Sequence, residues 1–373
     1  MNEVIELTQA LLRFNTINPP GQERECAHYL GALLEKGGYD VKFWEFGDTR
    51  TCVVARIGGA HDKPPLCLTG HIDTVPLGTI AWQQDPFAGE THGDQLFGRG
   101  STDMKAGVAA IVVVALKMAH LLKNGPGLEI VLTAGEEQGC KGSAYLATLP
   151  NALSRAGAIL VAEPTANYPY IGHKGIFKFM GRTKGIAAHA SRPHLGDNAI
   201  YKAAAAVERL RYYQFGCEEH PVMGLPTLNV GTFSGGQNLN SVPDFAEFGA
   251  DIRTVPGLSH CALCDSLRLA LGDDVEMHMV NDMPPVWTDP QNEWVQRIFD
   301  VVQSHHGERP TAQTITAYTD AGSLRRFYGD PPTVILGPGE PEMAHRVDEY
   351  CKISRIEESV AMFEQIVKDW CGV

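Results

Sequence analysis

Three short segments of this 373-residue chain carry side chains that bind hard cations: Gly70-His71-Ile72-Asp73, Gly98-Arg99-Gly100-Ser101-Thr102-Asp103-Met104-Lys105 and Gly135-Glu136-Glu137. Imidazole and carboxylate together suit Zn²⁺, and a catalytic zinc needs neutral or anionic protein ligands with one position left for water. The series therefore reads as the core of a two-zinc hydrolytic site. His71 is a candidate ligand. Asp73, two residues on, is placed to accept the other ring N–H and fix the tautomer. Any ordinary surface loop can carry His-x-Asp, so context decides.

That context is a set of strand ends. An apolar run at 66–69 leads into His71, another at 128–134 stops at Gly135-Glu136-Glu137, and a third at 158–162 stops at Glu163-Pro164-Thr165. In open α/β sheets the functional crevice lies beyond the carboxyl ends of the strands. His71, Glu136, Glu137 and Glu163 are therefore expected on one rim, and a Gly-rich loop ahead of a long helical segment can bring Asp103 to it. On a solvated helix face a Glu-Glu pair costs little. At the end of an apolar strand it is expensive unless a cation or proton compensates it.

With Glu163-Pro164-Thr165 and the late segment Ala344-His345-Arg346-Val347-Asp348-Glu349-Tyr350, these motifs resemble, in their order, the zinc metallopeptidase family of acetylornithine deacetylase, succinyl-diaminopimelate desuccinylase, aminoacylase and carboxypeptidase G. The resemblance spans essentially the whole chain. It implies a zinc exopeptidase-like α/β fold, a mixed, largely parallel sheet flanked by helices, with an inserted α+β ferredoxin-like lid and dimerisation domain. It makes Asp103 the carboxylate bridging two Zn²⁺ ions per chain, with Co²⁺ or Mn²⁺ as substitutes. His71 and Glu163 complete one shell, and Glu137 and His345 the other. Glu136 stays off the metals as general base, which suits a carboxylate beside an activated water.

Composition fits. Hydrophobic residues at 44% and charged residues at 20% describe an ordinary globular protein, and the length favours two domains. A net charge of −13 argues against nucleic acid or an anionic membrane as partner. Acidic residues near the start stand where a secretion signal carries positive charge, and Val4, Leu7, Leu11 and Leu12 recur at helical spacing until Asn18-Pro19-Pro20. The most apolar stretch, 106–116, ends at Lys117, is short for a bilayer span and reads as a buried helix behind the Asp103 loop. Nine cysteines, an odd number spread along the chain, suggest no disulfide framework and a reducing, cytoplasmic setting. Cys261-Ala262-Leu263-Cys264 reads as a helical pair.

After Glu163 a segment rich in Pro, Tyr and Gly leads to an alternating strand at 176–182, a helix at 198–211, strand-like runs at 227–233 and 246–253, a helix at 260–271 and a last strand at 275–280. This divides the chain into a catalytic domain at 1–174 and 285–373 and a lid at 175–284. By the resemblance, His189 in Gly185-Ile186-Ala187-Ala188-His189-Ala190-Ser191 matches a lid histidine that, in relatives, crosses a homodimer to hydrogen-bond the developing oxyanion. Asn240 and Arg253 fall in segments resembling those that bind the amino-acid part of the substrate. Arg253 either pairs with an α-carboxylate or closes an ion pair at its strand end.

Gly98-x-Gly100 and Gly337-Pro338-Gly339 lack Rossmann or P-loop spacing, which sets nucleotides aside. Tyr318-Thr319-Asp320-Ala321 resembles the family's Gly-Thr-Asp-Ala loop with Tyr in place of Gly, which changes the pocket. The late His motif, His173-Lys174-Gly175 and Gly337-Pro338-Gly339 look closer to the deacetylases than to the desuccinylases, which usually have Arg-Arg-Gly and a Thr-Ser-Asp-Gly loop. The expected substrate is a small N-acyl amino acid or short peptide, with deacylation favoured over desuccinylation and over dipeptidase or carboxypeptidase activity. A non-catalytic binding protein on a hydrolase scaffold would require a missing ligand, and none is missing.

Overall fold

The computed structural model describes residues 2–373, which fall into two compact units. The first comprises the described residues up to Gly172 with Trp287–Ile315 and Thr319–Val373; the second is His173–Val286 with Thr316–Tyr318.

The first unit is built on six strands, β1 (Asp40–Phe46), β2 (Arg50–Ile57), β3 (Leu66–His71), β4 (Leu128–Thr133), β5 (Ala158–Val161) and β6 (Thr333–Ile335), in the spatial order β1-β2-β4-β3-β5-β6. β1, β2 and β4 pair antiparallel, whereas β4, β3, β5 and β6 run parallel. β3 and β4 are buried along their whole length, which is why both read as continuous apolar runs. Because β4, β3 and β5 are adjacent and parallel, their carboxyl ends lie on one edge.

Helix α1 (Glu3–Leu12) ends well before Asn18, and α2 (Arg24–Lys36) follows. Helix α3 (Ala106–Leu122) is the core helix, packing against α1 and the C-terminal helix Ile353–Cys371. It runs past Lys117, whose amine reaches Glu364 at the surface, so the apolar helical stretch is longer than the sequence reading allowed. Ser101–Leu122 is long and apolar enough to cross a membrane by length and composition, yet most of it is buried inside this unit. Gly107 makes the packing close: a Cβ there would lie 2.2 Å from the carbonyl oxygen of Ala162 at the end of β5.

In the second unit four antiparallel strands stand in the order Thr227–Gly235, Phe245–Thr254, Gly175–Lys184, Val275–Met283. With helices Ala199–Arg211 and His260–Leu271 the chain order is βαββαβ. One face buries Phe177, Phe179, Phe248 and Ile252 against Ala203, Leu210, Leu263 and Leu267. Asn198 and Ser259 cap the two helices. Cys261 and Cys264 lie on the second of them, and all nine cysteines are free.

Candidate metal centre

Each site residue stands where a strand or turn hands it to the rim. β3 ends on His71 itself, and β5 ends two residues before Glu163. After β4, Gly135 takes the left-handed conformation (φ +75°) and turns the chain so that Glu136 and Glu137 follow at the edge. Asp103 sits on the loop ahead of α3. That loop is shaped by Glu349, which is fully buried and accepts N–H donors from Gly100 (3.0 Å), Thr102 (2.8 Å) and Asp103 (3.0 Å), and the Arg99 guanidinium (2.6 Å). The segment that carries His345 therefore also holds Asp103 in place.

Two ligand clusters result, and they share one side chain. Asp103 Oδ1 is 3.1 Å from His71 Nε2, which is 3.9 Å from Glu163 Oε2. Asp103 Oδ2 is 3.4 Å from His345 Nε2, which is 3.2 Å from Glu137 Oε2. Within each cluster the donor atoms lie within 4.8 Å of one another. Glu136 belongs to neither. It is buried beside them, its N–H donating to Asp73 Oδ1 at 3.0 Å and its Oε1 accepting from the Cys140 thiol at 3.2 Å.

Asp73 does something other than the sequence suggests. His71 Nδ1 lies 3.0 Å from the main-chain carbonyl of Asp73 and 3.7 Å from its carboxylate, so the peptide oxygen, not the side chain, is the ring's acceptor. The carboxylate is occupied elsewhere: it accepts the N–H groups of Glu136 (3.0 Å) and Glu137 (3.1 Å) and the amide of Asn18 (2.8 Å). Asn18 in turn accepts from Arg50 at 2.6 Å. Asp73 thus fixes the Glu136-Glu137 turn as well as the His71 loop. Asn18, Arg50, Arg99 and Glu349 all went unassigned in the sequence. Only Arg99 and Glu349 lay inside recognisable motifs.

The electrostatics show what the cluster lacks. Burial, opposed by the His71 imidazole and reinforced by neighbouring carboxylates, pushes Glu136 and Glu163 well above the usual carboxylate range, and burial and the charge of Asp103 push Glu137 up. Hydrogen bonds to Asp103 and Glu137 raise His345 to about 10. Asp103 is the exception: bonds from His345 and His71 overcome its burial and pull its pKa down. Glu137 Oε1 is buried without a hydrogen-bond donor. A set of carboxylates that two imidazoles cannot neutralise, with an orphaned oxygen facing no donor, fits a pair of divalent cations.

Comparison with known proteins agrees with this chemistry. The profile of Peptidase family M20/M25/M40 matches residues 67–369. The chain belongs to this family. It is accordingly a hydrolase of the metallopeptidase kind, acting on amide bonds. A probable succinyl-diaminopimelate desuccinylase of Staphylococcus epidermidis is 31% identical over 398 residues, covering 98% of this chain and 96% of that protein. An acetylornithine deacetylase of Vibrio parahaemolyticus is 29% identical over 349 residues, covering 90% and 88%. Among solved structures, an M20 family metallo-carboxypeptidase of Sulfolobus solfataricus shares the fold with a TM-score of 0.80 at 19% identity, over 99% of both chains.

The remaining residues expected in this M20 chain belong to neither cluster. In the second unit His189 and Ser241 form a β-bridge, which sets Asn240 beside the His189 loop, and Ala190 N–H donates to Asn240 O at 2.9 Å. His189 Nδ1 accepts the Ser191 N–H at 3.1 Å, which leaves the proton of the neutral ring on Nε2. Arg253 pairs with Asp251 through Nε (2.9 Å) and Nη2 (3.2 Å), the ion pair its strand-end position allowed. In the first unit Asp320 is buried and accepts from the Thr133 hydroxyl at the end of β4, close enough for its charge to act on Glu136.

Proposed function

We propose that this chain is a two-zinc amidohydrolase that cleaves the amide of N-acyl amino acids. The observation that carries the reading is the division of Asp103, one carboxylate oxygen to each ligand cluster, with Glu136 adjacent but in neither. His71, Asp103 and Glu163 would hold one ion, and Asp103, Glu137 and His345 the other. When bound, the ions supply positive charge that acidifies a water and stabilises negative charge developing on the amide oxygen.

Glu136 does the proton work. Its carboxylate takes a proton from the water that attacks the amide carbon, and returns it to the departing nitrogen as the C–N bond breaks, so that the acyl group leaves as a carboxylate and the amino acid as an amine. His189 presents Nε2–H, the tautomer an oxyanion donor needs. In this reading it serves the site of a second copy of the chain. Exposed apolar side chains on the second unit, among them Ile186, Leu195, Tyr201, Phe233 and Leu239, support a homodimer through that unit. Asn240 beside His189, and Arg253 once exchanged from Asp251, are the groups for the substrate's polar end.

The acyl group divides two readings. The late His motif and His173-Lys174-Gly175 favour acetyl, while 31% identity to a probable desuccinylase favours succinyl. Zinc-loaded protein assayed against matched N-acetyl amino acids, N-succinyl amino acids and dipeptides separates them, with N-acyl substrates expected to turn over and dipeptides not. No turnover on either acyl series would remove the proposal. Mixing His189→Ala with Glu136→Gln chains should restore part of the activity through heterodimers. No recovery after verified subunit exchange would place His189 outside the partner's site.

A further inference from the structure

The Glu136 side chain has one oxygen already engaged. Cys140 Sγ lies 3.2 Å from Glu136 Oε1, and the main-chain N–H of the same Cys140 donates to the Glu136 carbonyl at 2.8 Å. Glu136 is thus gripped at three points: its N–H by Asp73, its carbonyl by Cys140 N–H and its carboxylate by the Cys140 thiol. Cys140 is fully buried and sits at φ +55°, a left-handed conformation that a residue with a Cβ adopts at a cost. Glycine would adopt it freely, as Gly139 beside it does at φ +91°, but glycine offers no side-chain donor.

We infer that Cys140 is a positioning residue for the general base: its thiol holds Glu136 Oε1, so that Oε2 is the oxygen that takes and returns the proton. The inference rests on the reading of Glu136 as base. An S–H group is a weak donor, so it orients the carboxylate without competing strongly for the proton the base must carry. Burial and the neighbouring Glu136 charge keep the thiol protonated, hence a donor and not a repelling thiolate. Without the thiol the carboxylate can rotate about its terminal torsion, which is broad, and presents either oxygen in a spread of orientations. A misoriented base loses turnover rather than substrate binding.

The experiment measures kcat, KM and bound zinc for Cys140→Ala, Cys140→Gly, Cys140→Ser and Glu136→Gln, on whichever N-acyl amino acid the wild-type chain cleaves best. Cys140→Ala and Cys140→Gly should each lose kcat on the order of tenfold, the scale of one hydrogen bond lost in the transition state, with KM and zinc content unchanged. The glycine variant relieves the left-handed strain, so its loss cannot be charged to misfolding. Cys140→Ser restores a donor and should recover most of the kcat. Wild-type kcat in the alanine and glycine variants, or a serine variant no better than alanine, overturns the inference. If Glu136→Gln turns over normally, the base assignment itself fails. If Glu136→Gln is inactive while the Cys140 variants are unimpaired, only the role of Cys140 is lost.

Discussion

β4 ends in a buried carboxylate cluster at one extremity and begins at another, and the two are neutralised in opposite ways. At its start Glu129 is fully buried and fully answered: Arg56 Nε at 2.5 Å, Ser154 N–H at 3.1 Å, Ser154 Oγ at 2.5 Å and the Tyr328 hydroxyl all donate to it. Beyond its end, Glu136 and Glu137 join Asp103 and Glu163 around two imidazoles, and one Glu137 oxygen has no donor at all. The contrast teaches that burial of a carboxylate is not itself a functional signal. A cluster that closes its own charge balance is a staple between elements. One that does not is built for an added cation.

The contrast can be broken most severely at the functional end. Glu136→Gln should lower turnover by roughly 10²- to 10⁴-fold with metal content unchanged, whereas Glu129→Gln should leave kcat per folded molecule intact. Near-normal turnover in Glu136→Gln would erase the distinction. Next in size is the staple itself. Glu129→Ala strands Arg56 and should cost about 3–5 kcal/mol in urea unfolding; a loss below about 1 kcal/mol would mean that water already screens the pair. Third, zinc at about a hundred times its Kd should stabilise the metal-free chain by about 2.7 kcal/mol for each of the two sites, reversibly by chelator and by the same amount in Glu129→Ala, since the two ends share no partner. A melting temperature indifferent to zinc would count against the cation site.

The smallest effect concerns a group between these extremes. Glu23 is buried with neither carboxylate oxygen hydrogen-bonded, and burial with the charge of Asp73 raises its pKa from 4.5 to about 7. Between those two values the folded chain keeps a proton that the unfolded chain releases, so Glu23 makes stability fall as pH rises from 4.5 to about 7. Glu23→Gln removes that slope and should gain about 3 kcal/mol at pH 8 relative to pH 4.5. Parallel stability curves for variant and wild type would contradict a raised Glu23 pKa in the folded chain.

Much of the rim was legible because it obeys local rules. Apolar runs of strand length ending in His71, Glu136-Glu137 and Glu163 belong together once their strands are adjacent and parallel, and the α/β class follows from the same runs. His345 lies on a loop with φ +65° and no apolar run before it, so only the motif pointed to it. Arg99 and Glu349 are 250 residues apart in sequence and Asn18 and Asp73 55 apart. Such pairs leave no periodicity to read. The spacing of Asp73 from His71 does not say whether the carboxylate or the peptide oxygen turns toward the ring, and it is the peptide oxygen that does. Glu129, hidden inside an apolar run, gave no sign that its charge was answered.

Zinc titration of the metal-free chain and of Asp103→Ala, read as ions bound per chain, tests the shared carboxylate most directly. The geometry predicts two ions for the wild type and loss of tight binding at both positions in Asp103→Ala, because each cluster takes one of its oxygens. A wild type that binds one ion or none, or an Asp103→Ala chain that still binds two, would contradict it.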